Sequence, residues 1–174
     1  MIEIHPANFA NDISLVQSLF REYANGVGVD LCFQGFEEEL STLPGKYQPP
    51  SGQLLIASGL NGAAGCVAMR RIDAQTCEMK RLYVRPQARG DNLGRRLVER
   101  IIDQARRAGY ARICLDTLPT MTTAQSLYRS LGFVATEPYA FNPVAGTIFM
   151  LLNLDNDNRS RTLNGIRREI RDQS

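Results

Sequence analysis

Apolar residues fall along the chain in runs of two different periods. Ile2-Glu3-Ile4-His5 alternates and predicts a short first strand. From Asp12 onward, Ile13, Val16, Leu19, Phe20 and Tyr23 recur at helical spacing, and Gly26 and Gly28 end that helix. A short second helix is predicted over Phe33–Leu40, with Glu37, Glu38 and Glu39 on its solvated face. Leu43 to Gly52 is Pro- and Gly-rich loop. Leu54–Ser58 and Gly65–Ile72 read as a hairpin turning at Asn61-Gly62, and Cys77–Val84 as a third strand stopping before Pro86. The period turns helical again from Leu93 to Ala108. There Leu97, Val98, Ile101, Ile102 and Ala105 form one stripe, with Gly109 at the capping position. Ile113–Asp116 reads as a buried strand and Thr120–Ser130 as a helix closed by Gly132. Thr147–Leu154 is the last strand, with Phe133–Thr136 as its partner.

The order β-α-α-β-β-β-α-β-α-β-β predicts an α/β (α+β) fold, a mixed central sheet of about six to seven strands flanked by helices. One domain is expected over residues 1–154. Residues 155–174 hold five basic and four acidic residues and read as a polar tail with room for a short helix.

Of the 174 residues, 44% are apolar and 22% charged, which excludes a disordered chain, a collagen-like fibre and a long coiled coil. The net charge of +2 hides an uneven distribution. Residues 1–50 carry seven acids against Arg21 and Lys46, a local charge of −5. Residues 80–112 carry ten bases against three acids, a local charge of +7, which suggests an anionic ligand near mid-chain. Cys32, Cys66, Cys77 and Cys114 lack metal or redox spacing and read as small buried hydrophobes, so no metal is expected. The first residues have no basic, apolar leader pattern, and no apolar stretch is long enough for a membrane span. A reduced, cytoplasmic protein is expected, binding neither membrane nor nucleic acid.

The chemistry concentrates in Tyr83 to Leu97, where a strand ends, a glycine-bearing loop follows and a helix begins. Helix N-termini present unpaired N–H groups and the positive end of the macrodipole, and so bind anions. Gly90 and Gly94 would let a phosphate approach the backbone, and Arg89, Arg95 and Arg96 add cationic forks. Arginine is unfavourable at a helix N-terminus unless an anion is present. The same stretch also reads as a glycine-punctuated turn beside solvated arginines.

Gln87-Ala88-Arg89-Gly90-Asp91-Asn92 resembles the acyl-CoA loop of the GNAT superfamily of N-acetyltransferases, usually Gln/Arg-x-x-Gly-x-Gly/Ala, with Asn92 at the second small position. Leu127-Tyr128-Arg129-Ser130-Leu131-Gly132-Phe133 resembles the family's late helix and turn. Met121 stands where the family often carries an asparagine that contacts pantetheine. Asp30 to Phe36 resembles a segment of a bacterial GNAT subgroup of unknown substrate. The resemblance implies the GNAT acyl-CoA N-acyltransferase fold, with acetyl-CoA as co-substrate. Its pyrophosphate would lie on Arg89, Gly90, Asp91, Asn92, Leu93, Gly94 and Arg95. Its pantetheine would lie like an extra strand along the backbone of Leu82, Tyr83 and Val84, where that strand splays from the next. Family members often form dimers, so a homodimer is implied as well.

Acyl transfer to an amine needs a deprotonated nucleophile and a proton for the leaving thiolate. By the resemblance, Tyr128 is the general acid, and Glu78 stands where some members carry a general-base glutamate. A carboxylate deprotonates an ammonium poorly, so Glu78 would need a bridging water or a raised pKa. Period-two alternation puts Glu78, Lys80, Leu82 and Val84 on one strand face, where Glu78 is equally an ordinary glutamate beside Lys80. His5 reads as structural. By the resemblance, Phe33, Phe36, Tyr139, Phe141 and Asn142 come from segments that flank the acceptor side, where the aromatics line a pocket or pack as ordinary core, and the N-terminal acids frame that side or simply solvate a helix. Two functions stand side by side: an N-acetyltransferase acting on a small-molecule or protein amine, and an acyl-CoA-binding sensor without turnover.

Overall fold

Seven strands form one sheet in the order β1-β2-β3-β4-β5-β7-β6, in a computed structural model describing residues 1–32 and 35–154. Phe33 and the tail over 155–174, with its expected helix, lie outside the described residues. The strands are β1 (Glu3–Pro6), β2 (Gln53–Gly59), β3 (Gly62–Arg71), β4 (Thr76–Val84), β5 (Arg112–Thr117), β6 (Val134–Thr136) and β7 (Ile148–Asn153). The helices are α1 (Ile13–Val27), α2 (Phe36–Ser41), α3 (Leu93–Arg107) and α4 (Thr122–Ser130). This is the expected element order. Neighbouring strands pair antiparallel except β4 with β5, which run parallel.

Each face of the sheet carries its own core. Against one face pack the predicted α3 stripe, with Leu97, Ile101 and Ala105 wholly buried, and Tyr128 of α4. Against the other pack Val16, Leu19 and Phe20 of α1 and Phe36 and Leu40 of α2. Burying large aliphatic and aromatic side chains on both faces supplies most of the driving force for this arrangement.

Four local expectations are corrected. Helix α2 begins at Phe36 rather than Phe33, because Gly35 holds left-handed backbone (φ +66°) just before it. The hairpin tip is Leu60-Asn61, since Gly62 already pairs with Gly59. Cys32 is exposed, unlike the other three cysteines.

The fourth correction matters most. The strand β4 does not alternate to its end. Cys66 pairs with Tyr83 while Ala68 pairs with Lys80, so Arg81 and Leu82 together oppose Val67 in a bulge, and Arg81 adopts φ +58°. The bulge shifts the parity of the strand. Lys80 pairs with Ala68, which belongs to the α1/α2 core, and Tyr83 packs against that same core. Leu82 and Val84 turn to the α3 face instead of sharing a face with Glu78 and Lys80. Gly65 makes room for this, because a Cβ there would come within 2.3 Å of the Tyr83 carbonyl oxygen.

Candidate active site

Parallel pairing between β4 and β5 covers only Thr76, Cys77 and Glu78 against Arg112, Ile113 and Cys114. Past Glu78 the strands separate, and a cleft of about 540 Å³ opens between them. Its walls are Met79 to Val84 of β4, Leu115 and Asp116 of β5, the start of α4 with Leu127 and Tyr128, and the end of α1 at Tyr23. Arg89 and Gly94 stand at its mouth. A strand end that has lost its neighbour still carries peptide N–H and C=O groups that require partners. The gap therefore suits an extended amide-bearing chain.

The loop after β4 joins this mouth to helix α3. Gly90 has φ +112°, and a Cβ there would meet nothing within 4 Å, so the space beside it is open to a ligand. Asn92 holds φ +53° directly before the helix, the conformation asparagine tolerates best among residues with a Cβ. The first α3 backbone bond runs from Arg96 N–H to the Asn92 carbonyl at 3.0 Å, so the preceding amides lack intrahelical partners. Open amides, a glycine and the exposed Arg89 fit a phosphate group.

The arginines behind the loop differ in role. Arg89 donates to the Val84 carbonyl at 3.3 Å and stays at the cleft mouth. Arg95 reaches Ser130 Oγ at 2.6 Å and Glu99 at 3.5 Å, linking α3 to the end of α4. Arg96 donates to the Ile2 carbonyl at 2.7 Å, which ties it to β1 and corrects its expected place in the phosphate site. Leu93 is buried in the core, so only its backbone can serve a ligand.

Of the predicted residues, Leu82, Tyr83, Val84, Arg89, Gly94 and Tyr128 come together around the cleft. Gly90, Asp91, Asn92 and Arg95 sit on the adjoining loop and first turn. Tyr128 is buried against Phe133, and desolvation pushes its hydroxyl well above the ordinary tyrosine value. It stays protonated throughout the neutral range.

Glu78 is neither at the surface nor in the cleft wall. Only 3% of its side chain is exposed, and it accepts from Arg70 Nε at 2.8 Å and from the Tyr139 hydroxyl at 3.0 Å. Burial first, and the Glu78 carboxylate second, hold the Tyr139 hydroxyl protonated. Lys80 Nζ lies 3.8 Å from Glu78 Oε1. Beside them Asn142 donates to Asp116 at 3.0 Å. Phe36 belongs to the core under α2, whereas Phe141 is exposed.

The N-terminal acids are engaged within the protein. Glu39 pairs with Arg81 at 2.8 Å and accepts from the Tyr47 hydroxyl, and Glu22 pairs with Arg85 at 2.7 Å. Glu37 pairs with Arg21 at 3.2 Å. The guanidinium of Arg81 also lies between the rings of Tyr23 and Phe36, 5.5 and 5.1 Å from their centroids. Of these acids Glu39 is a counterion for β4, Glu22 pairs just beyond that strand and Glu37 pairs with α1. Tyr23, Arg70 and Arg81 carried no signal as site residues, because only the bulge and the helix packing bring them together. Among the described residues no cluster of three or more His, Cys, Asp or Glu is placed to hold a metal ion, and no helix is long and apolar enough to cross a membrane.

Comparison with known proteins follows the same lines. The model of the Acetyltransferase (GNAT) domain matches residues 50–135. An uncharacterized N-acetyltransferase of Schizosaccharomyces pombe is 42% identical over 155 residues, covering 88% of this chain and 95% of that protein. The crystal structure of an acetyltransferase from Streptococcus agalactiae superposes with a TM-score of 0.73 at 25% identity, covering 88% of this chain and 98% of the other. A putative acetyltransferase from Salmonella typhimurium, solved with its cofactor acetyl-CoA, shares the fold at a TM-score of 0.68 and 23% identity, over 88% and 94% of the two chains.

Proposed function

The chain belongs to the GNAT family of N-acetyltransferases, and on that footing we propose that it moves the acetyl group of acetyl-CoA to a primary amine of a small molecule or protein, by direct transfer in a ternary complex. The observation that carries this reading is the separation of β4 from β5 past Glu78, with the open N-terminus of α3 at its mouth. The amides after Asn92, together with Arg89 and Gly90, would hold the pyrophosphate. The freed backbone of Leu82, Tyr83 and Val84 would pair with the amide-bearing arm and polarise the thioester carbonyl.

Tyr128 donates its proton to the leaving sulfur as the C–S bond breaks, a role suited to a hydroxyl that burial keeps protonated. Glu78 supplies the negative charge toward which the amine proton moves as the C–N bond forms. The proposal keeps a cytoplasmic location and a homodimer, the latter checked by sedimentation. The test of function is release of free thiol from acetyl-CoA with a panel of amines, beside CoA binding by calorimetry. Thiol release that depends on an amine is the expected result. Tight CoA binding with no turnover on any amine would overturn it in favour of a sensor.

A further inference from the structure

Eighteen of the twenty basic residues are arginine, and the two lysines differ sharply in setting. Lys46 is exposed, whereas the side chain of Lys80 is only 6% exposed and faces the cleft. Arginine holds its proton at any pH a protein survives, while a desolvated lysine can give it up. Of the cations gathered on this side of the sheet, Arg70, Lys80 and Arg81, only Lys80 can exchange a proton.

We propose, building on the acetyltransferase reading above, that Lys80 Nζ is the group that takes the proton of the acceptor amine. Glu78 is placed to assist rather than to act directly. It lies outside the cleft wall and its oxygens accept from Arg70 and Tyr139, whereas Lys80, 3.8 Å away, lines the cleft. At 3.8 Å the Lys80–Glu78 separation exceeds hydrogen-bond length, so the two attract without sharing a proton.

The other charges facing Lys80 are Arg81 on β4, Arg70 on β3 and Asp116 on β5, with Tyr139 reaching Glu78 from the loop before β7. Burial first, with the Arg81 and Arg70 guanidinium groups, holds the Lys80 amine below its ordinary value against the pull of Glu78 and Asp116. As the new C–N bond forms, the attacking nitrogen becomes far more acidic than a free amine, and a lysine that holds its proton less tightly than usual can accept it in its unprotonated form. Lys80 gains that proton and becomes an ammonium beside the Glu78 carboxylate. Tyr128 loses its proton to the sulfur, and solvent exchange restores both groups.

The test has two arms. With lysine labelled at ¹³Cε, the unaltered protein shows two lysine signals, with exposed Lys46 as internal reference. Lys80 is expected to titrate at lower pH than Lys46. In the second arm Lys80→Met is expected to lower kcat about 100-fold, remove the acidic limb of the pH profile and leave CoA affinity within about twofold. Lys80→Arg should fail to restore it, because guanidinium keeps its proton. Lys80 titrating together with Lys46, or Lys80→Met keeping both turnover and the acidic limb, would overturn the proposal. If Tyr128→Phe still loses turnover in that case, the acetyltransferase reading stands alone. Absence of thiol release by the unaltered protein overturns both.

Discussion

The two ends of the cleft are built on opposite plans. The end proposed to hold the donor is one contiguous stretch from Val84 to Arg95, and it offers mainly backbone: open amides, the bare α carbon of Gly90 and the left-handed Asn92. The side proposed to take the acceptor is assembled from β3, β4, β5, two helices and a loop. It offers buried side chains whose charges balance one another: Glu39 with Arg81, and Glu78 with Arg70. A phosphate recognised by backbone needs local geometry alone. A proton path needs groups desolvated from several directions at once, which no single segment can supply.

If the acceptor side is held by mutual charge burial, removing one partner should cost most there. Arg81→Ala strands Glu39 and empties the space between the Tyr23 and Phe36 rings. A loss of about 3 kcal/mol in urea unfolding is expected, since breaking a buried pair leaves an uncompensated charge. A loss below about 1 kcal/mol would show that the pair is effectively solvated. Tyr128→Phe, where the two ends meet, should lower kcat about 100-fold with CoA affinity unchanged. Unchanged turnover would remove Tyr128 from the chemistry.

At the donor end, smaller and salt-dependent effects are expected. Arg89→Ala should weaken CoA binding about tenfold in calorimetry, the loss of one charge-assisted contact, and less at high salt. Arg100→Ala, on the solvated side of α3, should do nothing. An equal effect from both would make the site a diffuse basic surface rather than a loop. The smallest change concerns Glu22. Its hydrogen bond to Arg85 holds the carboxyl below the usual range, so its stabilisation is present at neutral pH and fades as pH falls through that lowered value. Both side chains are partly exposed, and Glu22→Gln should cost under about 1 kcal/mol near neutral pH and still less in acid.

Much of the fold was legible because its signals are periodic. The α3 stripe, the α1 stripe and the strand runs each depend on neighbours a few residues apart, and each appears in its expected place along the chain, with some strand ends shifted. The strand, glycine-bearing loop and helix start from Val84 to Arg95 were legible from local signals too, whereas the tie of Arg96 to Ile2 spans 94 residues. The alternation failed in β4, where Arg81 bulges. Nothing in Lys80-Arg81-Leu82 announces a left-handed arginine, since what holds it there comes from Glu39, Tyr23 and Phe36. The acidic segment was visible as charge, but the pairing of Glu22, Glu37 and Glu39 with arginines was not, because it arises only when distant segments pack.

By itself, then, the sequence determined the element order, the apolar stripes of helices and strands, and a glycine-bearing loop that leads into a helix N-terminus. All three are encoded by spacing within one segment. Tertiary structure alone decided which face Lys80 and Leu82 take, that Glu78 is buried against Arg70 and Tyr139, and that Glu39 from α2 pairs with Arg81 of β4. Those outcomes follow from one register shift and from desolvation, and both exist only once distant segments have packed.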